Sequence, residues 1–286
     1  MKAQGHDLNL SPTDLTTFAA CRHATHLFLE EARGRSTVER LRDPNADVLA
    51  ELGDRHELAY LEHLEAQGLS VMRISGSPDE PAQRDAVLEA MKTGVDVIAQ
   101  APLGSGRWRG IADVLLRVDA PSNLGAHSYE VQDTKLSQTT KAGTVLQLSL
   151  YSAWLADLQG RKPECFHVVA PGDPFHIEPH RVDDYAAYTR RIAARYEDVL
   201  QELEAGEATT RPEPVEQCMV CPWWNACNRQ WHEEDSLVLV ANLGRSHRRE
   251  LEQNRIGSVA QLVFLELTTK VALLSILTDI SDSDLP

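Results

Sequence analysis

An aspartate stands inside one of the most apolar stretches of the chain, Gly110-Ile-Ala-Asp113-Val-Leu-Leu, and that placement constrains the fold more than any other feature. The run Trp108 to Val118 has the aliphatic and β-branched content of a strand. A carboxylate in such a strand is costly without a partner, so Asp113 calls for a cation. The next strand is predicted over Ala126 to Lys135 and ends in Asp133-Thr134-Lys135. Its period of two puts Asp133 and Lys135 on one face and Glu130, Gln132 and Thr134 on the other. Asp133, rather than Glu130, is therefore the expected partner of Lys135. Neighbouring strands can bring Asp113 and Asp133 to one divalent ion, with the Thr134 carbonyl as a further oxygen donor. Lys135 beside that ion would orient or help deprotonate a water and stabilise charge on a phosphate. Asp-x-Lys alone also suits a surface hairpin with a weak ion pair. The preceding Asp113, set in its apolar strand, favours the metal-site reading.

Helix and strand patterns alternate along the rest of the chain. Ser11-Pro12-Thr13-Asp14 reads as an N-cap, a first-turn proline and an acidic first turn, opening a short helix with Leu15, Phe18 and Ala19 that leads to Cys21. A longer helix over Ala46 to Ala66 carries Leu49, Leu52, His56, Ala59, Tyr60 and His63 at helical spacing and stops at Gly68. Gly53 inside it costs about 1 kcal/mol relative to alanine, so something is expected to approach closely there. Strands are expected at Ser70 to Ile74, Val95 to Ala99, Cys165 to Ala170 and Phe175 to Arg181. Helices are expected at Pro81 to Thr93, Ala142 to Leu158, and from Asp183 to about Ala205. Gln147 and Tyr151 are spaced to share one face of the helix after Lys135. His56, read alone, suits an ordinary satisfied polar side chain as well as a ligand.

The 286 residues, 42% of them hydrophobic, suffice for one large domain with an appendage. The expected division is 1–235 for the main domain and 236–286 for a helical, helix-hairpin-helix-like appendage around the turn Ile256-Gly257-Ser258-Val259. No run approaches the roughly 18 apolar residues needed to span a bilayer, and MKAQGHDLNL lacks a signal-like stretch, so a cytoplasmic protein without membrane contact is expected. A net charge of -15 works against general affinity for nucleic acid. A local basic strip of Arg107, Arg109, Lys135 and Lys141 can still line a groove on an acidic surface.

Five cysteines without an export signal point to metal binding, catalysis or plain burial rather than to a disulfide framework. Cys218, Cys221 and Cys227 form C-x2-C-x5-C, spacings that let thiolates converge on one centre. Cys21 is the best fourth candidate, because Cys165 sits in the strand-like Cys-Phe-His-Val-Val-Ala, where a thiol serves as a small hydrophobe. Four thiolates suit zinc or an iron-sulfur cluster alike, and spacing does not choose between them. Such a site would staple the N-terminal segment to the region near residue 220.

Taken in order, Cys21, Gly53-x-x-His56, Gly110-Ile-Ala-Asp113, Asp133-Thr-Lys135, Gln147-x-x-x-Tyr151 and Cys218-x2-Cys221-x5-Cys227 resemble the RecB-like PD-(D/E)XK nucleases. The likeness is to their iron-sulfur subgroup, which includes AddB-type and CRISPR-adaptation nucleases, and it spans roughly residues 10 to 235. It implies an α/β fold with a restriction-endonuclease-like core, a central mixed β-sheet flanked by helices, closed by a four-Cys cluster. It further implies that His56, Asp113, Asp133 and the Thr134 carbonyl bind Mg2+ or Mn2+, that Lys135 is catalytic, and that Gln147 and Tyr151 contact DNA or position the site. Cys21, Cys218, Cys221 and Cys227 would hold a [4Fe-4S] cluster. The chain also looks like bacterial proteins in which such a domain precedes a helix-hairpin-helix-like segment and an RNase H-like domain. The implied activity is cleavage of DNA, at single strands or ends, in repair, recombination or defence. The alternative is a non-catalytic or partner-dependent DNA-binding module, served by a helicase or another repair or defence protein.

Overall fold

The computed structural model describes residues 1–4, 7–41, 43–75 and 80–265. The chain divides into two units: Met1–Ser36 with Arg42–Thr210, and Thr37–Leu41 with the chain from Arg211 onward.

The first unit is built on a six-stranded sheet in the order β3-β4-β5-β6-β7-β8. Its strands are β3 (Val71–Arg73), β4 (Val97–Ser105), β5 (Trp108–Val118), β6 (Ser128–Thr134), β7 (Cys165–Pro171) and β8 (Phe175–Arg181). Hairpins make β4, β5 and β6 antiparallel, as they do β7 and β8. The two parallel pairs, β3 with β4 and β6 with β7, are each joined through a helix, α4 (Pro81–Thr93) and α5 (Ala142–Gln159). Parallel neighbours need such a crossover, and the sheet is therefore mixed. A small hairpin of β1 (Lys2–Gln4) and β2 (Asp7–Asn9) precedes it.

Helices cover both faces. On one, α3 (Ala46–Ala66) packs Tyr60, Leu61 and Leu64 over Val97, Ala99, Val114 and Val169. On the other, α1 (Pro12–Ala20), α4, α5 and α6 (Val182–Glu204) bury Leu15, Phe18, Met91, Leu155 and Tyr196 against Leu103, Leu115, Val131 and Phe166. Ser11 caps α1 through a reciprocal capping box with Asp14. Helix α2 (Arg22–Ala32) follows immediately, with Cys21 Sγ accepting from Ala24 N at 3.4 Å as its N-cap.

The sequence expectation for α3 needs two corrections. Its stripe is buried only from Tyr60 onward, whereas Leu49 and Leu52 are exposed. Gly53 faces open space, with nothing within 4 Å of where a Cβ would lie, so no close approach explains it. Strand β4 also runs past the expected end at Ala99 to Ser105. Pro102 does not stop it, pairing with Ile111.

The second unit has its own small core. Trp231 is buried and donates from Nε1 to Pro212 O at 2.8 Å, and Arg40 lies over the Trp223 ring. Arg248 joins Leu243 O and Glu213 at 2.8 Å each. Helix α7 (Trp224–Glu233) precedes α8 (Arg245–Gln253). A further helical turn begins at Val259 after the expected turn, and the rest of the proposed appendage, from 266 on, lies outside the described residues. Among the described residues, no helix is long and apolar enough to cross a membrane.

Candidate active site

The centre of the sheet carries a row of polar residues. The register that pairs Ala99 with Val114 and Ala101 with Ala112 sets Gln100 opposite Asp113. The next register, pairing Val114 with Gln132, sets Asp113 opposite Asp133, which in turn neighbours Val168 on β7. Both β4 and β5 change phase at this row. Val97, Ala99 and Val114 pack under α3, while Ala101, Leu103 and Ala112 pack in the core of the opposite face. Strict alternation would have kept Ala99 and Ala101 on one face. Gln100 absorbs the change with φ +55°, a left-handed conformation that costs a non-glycine residue about 1–2 kcal/mol.

Asp133 is 1% exposed and forms an ion pair with Lys135 Nζ, as expected of residues two apart on a strand. Its Oδ1 is buried and without a hydrogen-bond partner among the described residues. Burial first, and then the neighbouring Asp113 charge, push the Asp133 carboxyl well up from the ordinary range. Asp113 Oδ2 accepts from Thr134 N at 2.9 Å and from Thr134 Oγ1 at 3.1 Å. Lys135 is held by Thr134 O at 3.3 Å. Burial alone would lower the Lys135 ammonium, but the Asp133 and Asp113 charges outweigh it and raise it. Two carboxylates, of which Asp133 is buried, thus face one partly exposed ammonium.

Glu130 lies on the other face and does different work. It accepts from Glu164 N at 3.1 Å, Cys165 N at 2.9 Å and His167 Nε2 at 2.8 Å, locking the start of β7 to β6. Cys165 is half-buried rather than fully buried, with burial raising its thiol.

His56 Nε2 sits 3.1 Å from Val169 O, the same carbonyl that accepts from Lys135 N at 2.9 Å. A carbonyl only accepts, so Nε2 is the donor and Nδ1 keeps the lone pair. Tyr151 is 3% exposed, donates to Ile111 O at 2.8 Å and is hydrogen-bonded by Gln147. From the core it holds β5 two residues from Asp113. Gly110 lies under it, where a Cβ would come within 2.6 Å of the Tyr151 hydroxyl.

Glu57, adjacent to His56, was not singled out by the sequence. It accepts from Gln100 Nε2 at 2.6 Å. Burial, and in smaller part the Asp113 charge, raise its carboxyl. The basic strip, by contrast, is largely spent on the fold. Arg107 pairs with Glu197 at 3.5 Å, and Arg109 Nη1 turns onto Gly106 O and Trp108 O. Among the described residues no three His, Cys, Asp or Glu side chains are gathered tightly enough to enclose an ion. For Cys218, Cys221 and Cys227, spacing rather than geometry supports a shared centre.

A mixed sheet flanked by helices thus carries two aspartates and a lysine at its middle. The sequence profile of the PD-(D/E)XK nuclease superfamily matches residues 23–228, and the chain belongs to that superfamily. Two solved structures are similar. One, named SSO0001, has a TM-score of 0.42 and 17% identity, covering 79% of this chain and 89% of its own. The other, a Eubacterium rectale protein named "Putative exonuclease", has a TM-score of 0.40 and 14% identity, covering 80% and 93%. No curated protein matches the chain.

Proposed function

We propose that the chain is a Mg2+- or Mn2+-dependent, RecB-like DNA nuclease that processes single strands or ends in repair, recombination or defence. The observation that carries this reading is the row Asp113, Asp133, Lys135, with Asp133 Oδ1 buried and lacking a hydrogen-bond partner among the described residues. A buried carboxylate oxygen without a hydrogen-bond partner, next to a second carboxylate, is expensive unless a cation joins it. The donor set fits a hard cation, because carboxylate and carbonyl oxygens suit Mg2+ and Mn2+. The lack of a tight three-ligand cage is no misfit, since Mg2+ typically keeps several waters and takes one or two carboxylates.

In this reading Asp113, Asp133 and the Thr134 carbonyl hold the ion. His56 is the further candidate ligand through Nδ1, while its Nε2 holds Val169 O. A bound ion supplies a Lewis acid for the phosphate and a more acidic attacking water. Lys135 orients that water and offsets charge on the phosphate as the water oxygen bonds to phosphorus and the bond to the sugar oxygen breaks. Tyr151 and Gln147 keep β5 in place. Replacing Asp113 by alanine is expected to abolish Mn2+-dependent cleavage with an unchanged circular dichroism spectrum. Full cleavage by that variant would sink the assignment.

The same reading assigns Cys21, Cys218, Cys221 and Cys227 to a [4Fe-4S] cluster, with zinc as the alternative occupant. Its support is the cysteine spacing and the resemblance, and no chemical step passes through it. Anaerobic purification of a brown protein is the expected result, and a colourless one with stoichiometric zinc overturns it.

The net charge of -15 and the internal pairing of Arg107 favour a second reading, in which a partner delivers the DNA. Cleavage that appears only when a helicase is added would select it.

A further inference from the structure

Helix α3 is longer than the sheet it packs on. Toward its C-terminus, His56 meets Val169 O at 3.1 Å, the Tyr60 hydroxyl donates to Gln132 Oε1 at 2.6 Å, and Leu61 and Leu64 pack with Val97 and Val114. His56 thus marks the end of the sheet at which Lys135 N meets the same Val169 carbonyl. The residues before it, 46–55, run past that end for about 15 Å at 1.5 Å each. This overhang keeps the apolar stripe of the buried part. Leu49, Leu52 and Gly53 fall on the same face as His56 and Tyr60, yet Leu49 is 54% and Leu52 39% exposed. Gly53 leaves a notch between the leucines and His56: outside the helix's own backbone, no described atom lies within 4 Å of where its Cβ would be. Glycine is a poor helix former, and nothing among the described residues uses the space it leaves. Asp47, Glu51 and Asp54 take the opposite side of the helix.

We propose that this overhang receives the unpaired bases of a single DNA strand at the nuclease site, with Leu49 and Leu52 against the bases and the Gly53 notch admitting a base to the helix backbone. The inference rests on the nuclease reading for the class of ligand and goes beyond it in naming what holds the strand. An exposed apolar stripe continuous with the residues of a candidate site marks a contact surface. Its chemistry selects bases: apolar side chains pack on extruded bases and on the thymine methyl, whereas phosphates call for Lys and Arg. The overhang's one cation, Arg55, pairs with Glu51 at 3.7 Å, and the carboxylates behind the stripe repel a phosphate backbone. A duplex keeps its bases in the stack, so the surface suits a single strand. A chain of net charge -15 can hold DNA in this way with few phosphate contacts.

The test reads binding by fluorescence anisotropy on the whole chain in EDTA, so that neither metal nor cleavage enters. The wild type is expected to bind oligothymidylate with a shallow dependence on salt, and to bind an abasic strand of the same length about tenfold more weakly. Leu49→Asn combined with Leu52→Asn is expected to bring oligothymidylate down to the affinity of the abasic strand, leaving abasic binding unchanged. Gly53→Leu favours the helix and fills the notch, so it is expected to melt no lower than the wild type and still to lose affinity for oligothymidylate. Equal affinity of the wild type for the two strands, or wild-type affinity in either variant, overturns the inference while the nuclease reading stands. A wild-type dimer that the leucine changes dissolve without altering DNA affinity overturns it in favour of a second copy of the chain on this face. Base-dependent binding that the leucine changes abolish, by a wild type that cleaves nothing with Mn2+, supports the surface and overturns the nuclease reading alone.

Discussion

At Asp133 the protein buries a carboxyl whose ionised form Lys135 favours and Asp113 opposes. Alternation along β6 made the Asp133 and Lys135 pair legible from the sequence, and it equally sent Glu130 to the other face. Glu130 offers a test that does not involve cleavage. Burial pushes its carboxyl up, but His167 and the Cys165 and Glu164 N–H groups outweigh this and leave it below the ordinary 4.5. A depressed folded-state value means stability that is present above that pH and lost as pH falls. Glu130→Gln is therefore expected to cost about 2 kcal/mol at neutral pH. The difference from wild type should shrink as pH falls below the ordinary 4.5, as read from urea midpoints across pH. Glu57 and Gln100 were not legible. Helical spacing lets His56 and Glu57 face the sheet together, and glutamine gives no sign of a left-handed backbone.

Element boundaries followed from capping and periodicity wherever those signals were local. The N-cap at Ser11, the span Ala46–Ala66 and the start of α4 at Pro81 all match the sequence expectation. The phase change shared by β4 and β5 could not be read, because it arises from how two strands pair. Two glycines show the contrast between local and tertiary causes. Gly53 has open space and ordinary helical backbone, so Gly53→Ala is expected to raise stability by up to about 1 kcal/mol in thermal or chemical unfolding. Gly110 lies against the buried Tyr151 ring, with 2.7 Å to Cε1 from a notional Cβ. Gly110→Ala is expected to cost about 1–3 kcal/mol by overpacking, and to slow cleavage by displacing Asp113.

For the whole molecule, the resemblance to PD-(D/E)XK nucleases implied a central mixed sheet flanked by helices, the structure has that layout, and the superfamily match places the chain among PD-(D/E)XK nucleases. The site lies within the first unit. Binding of an ion to the folded state alone should stabilise the chain by about 2.7 kcal/mol at a hundredfold excess over Kd. An Mn2+-dependent rise in melting temperature, lost in D113A, is the expected record of this. The Asp113, Asp133 and Lys135 row is expected to cleave DNA. Its most direct test is a time course on end-labelled single- and double-stranded DNA with Mn2+, comparing wild type with Lys135→Ala. Metal-dependent cleavage by the wild type and none by a folded Lys135→Ala protein is the predicted result. Equal cleavage by both proteins would contradict the account.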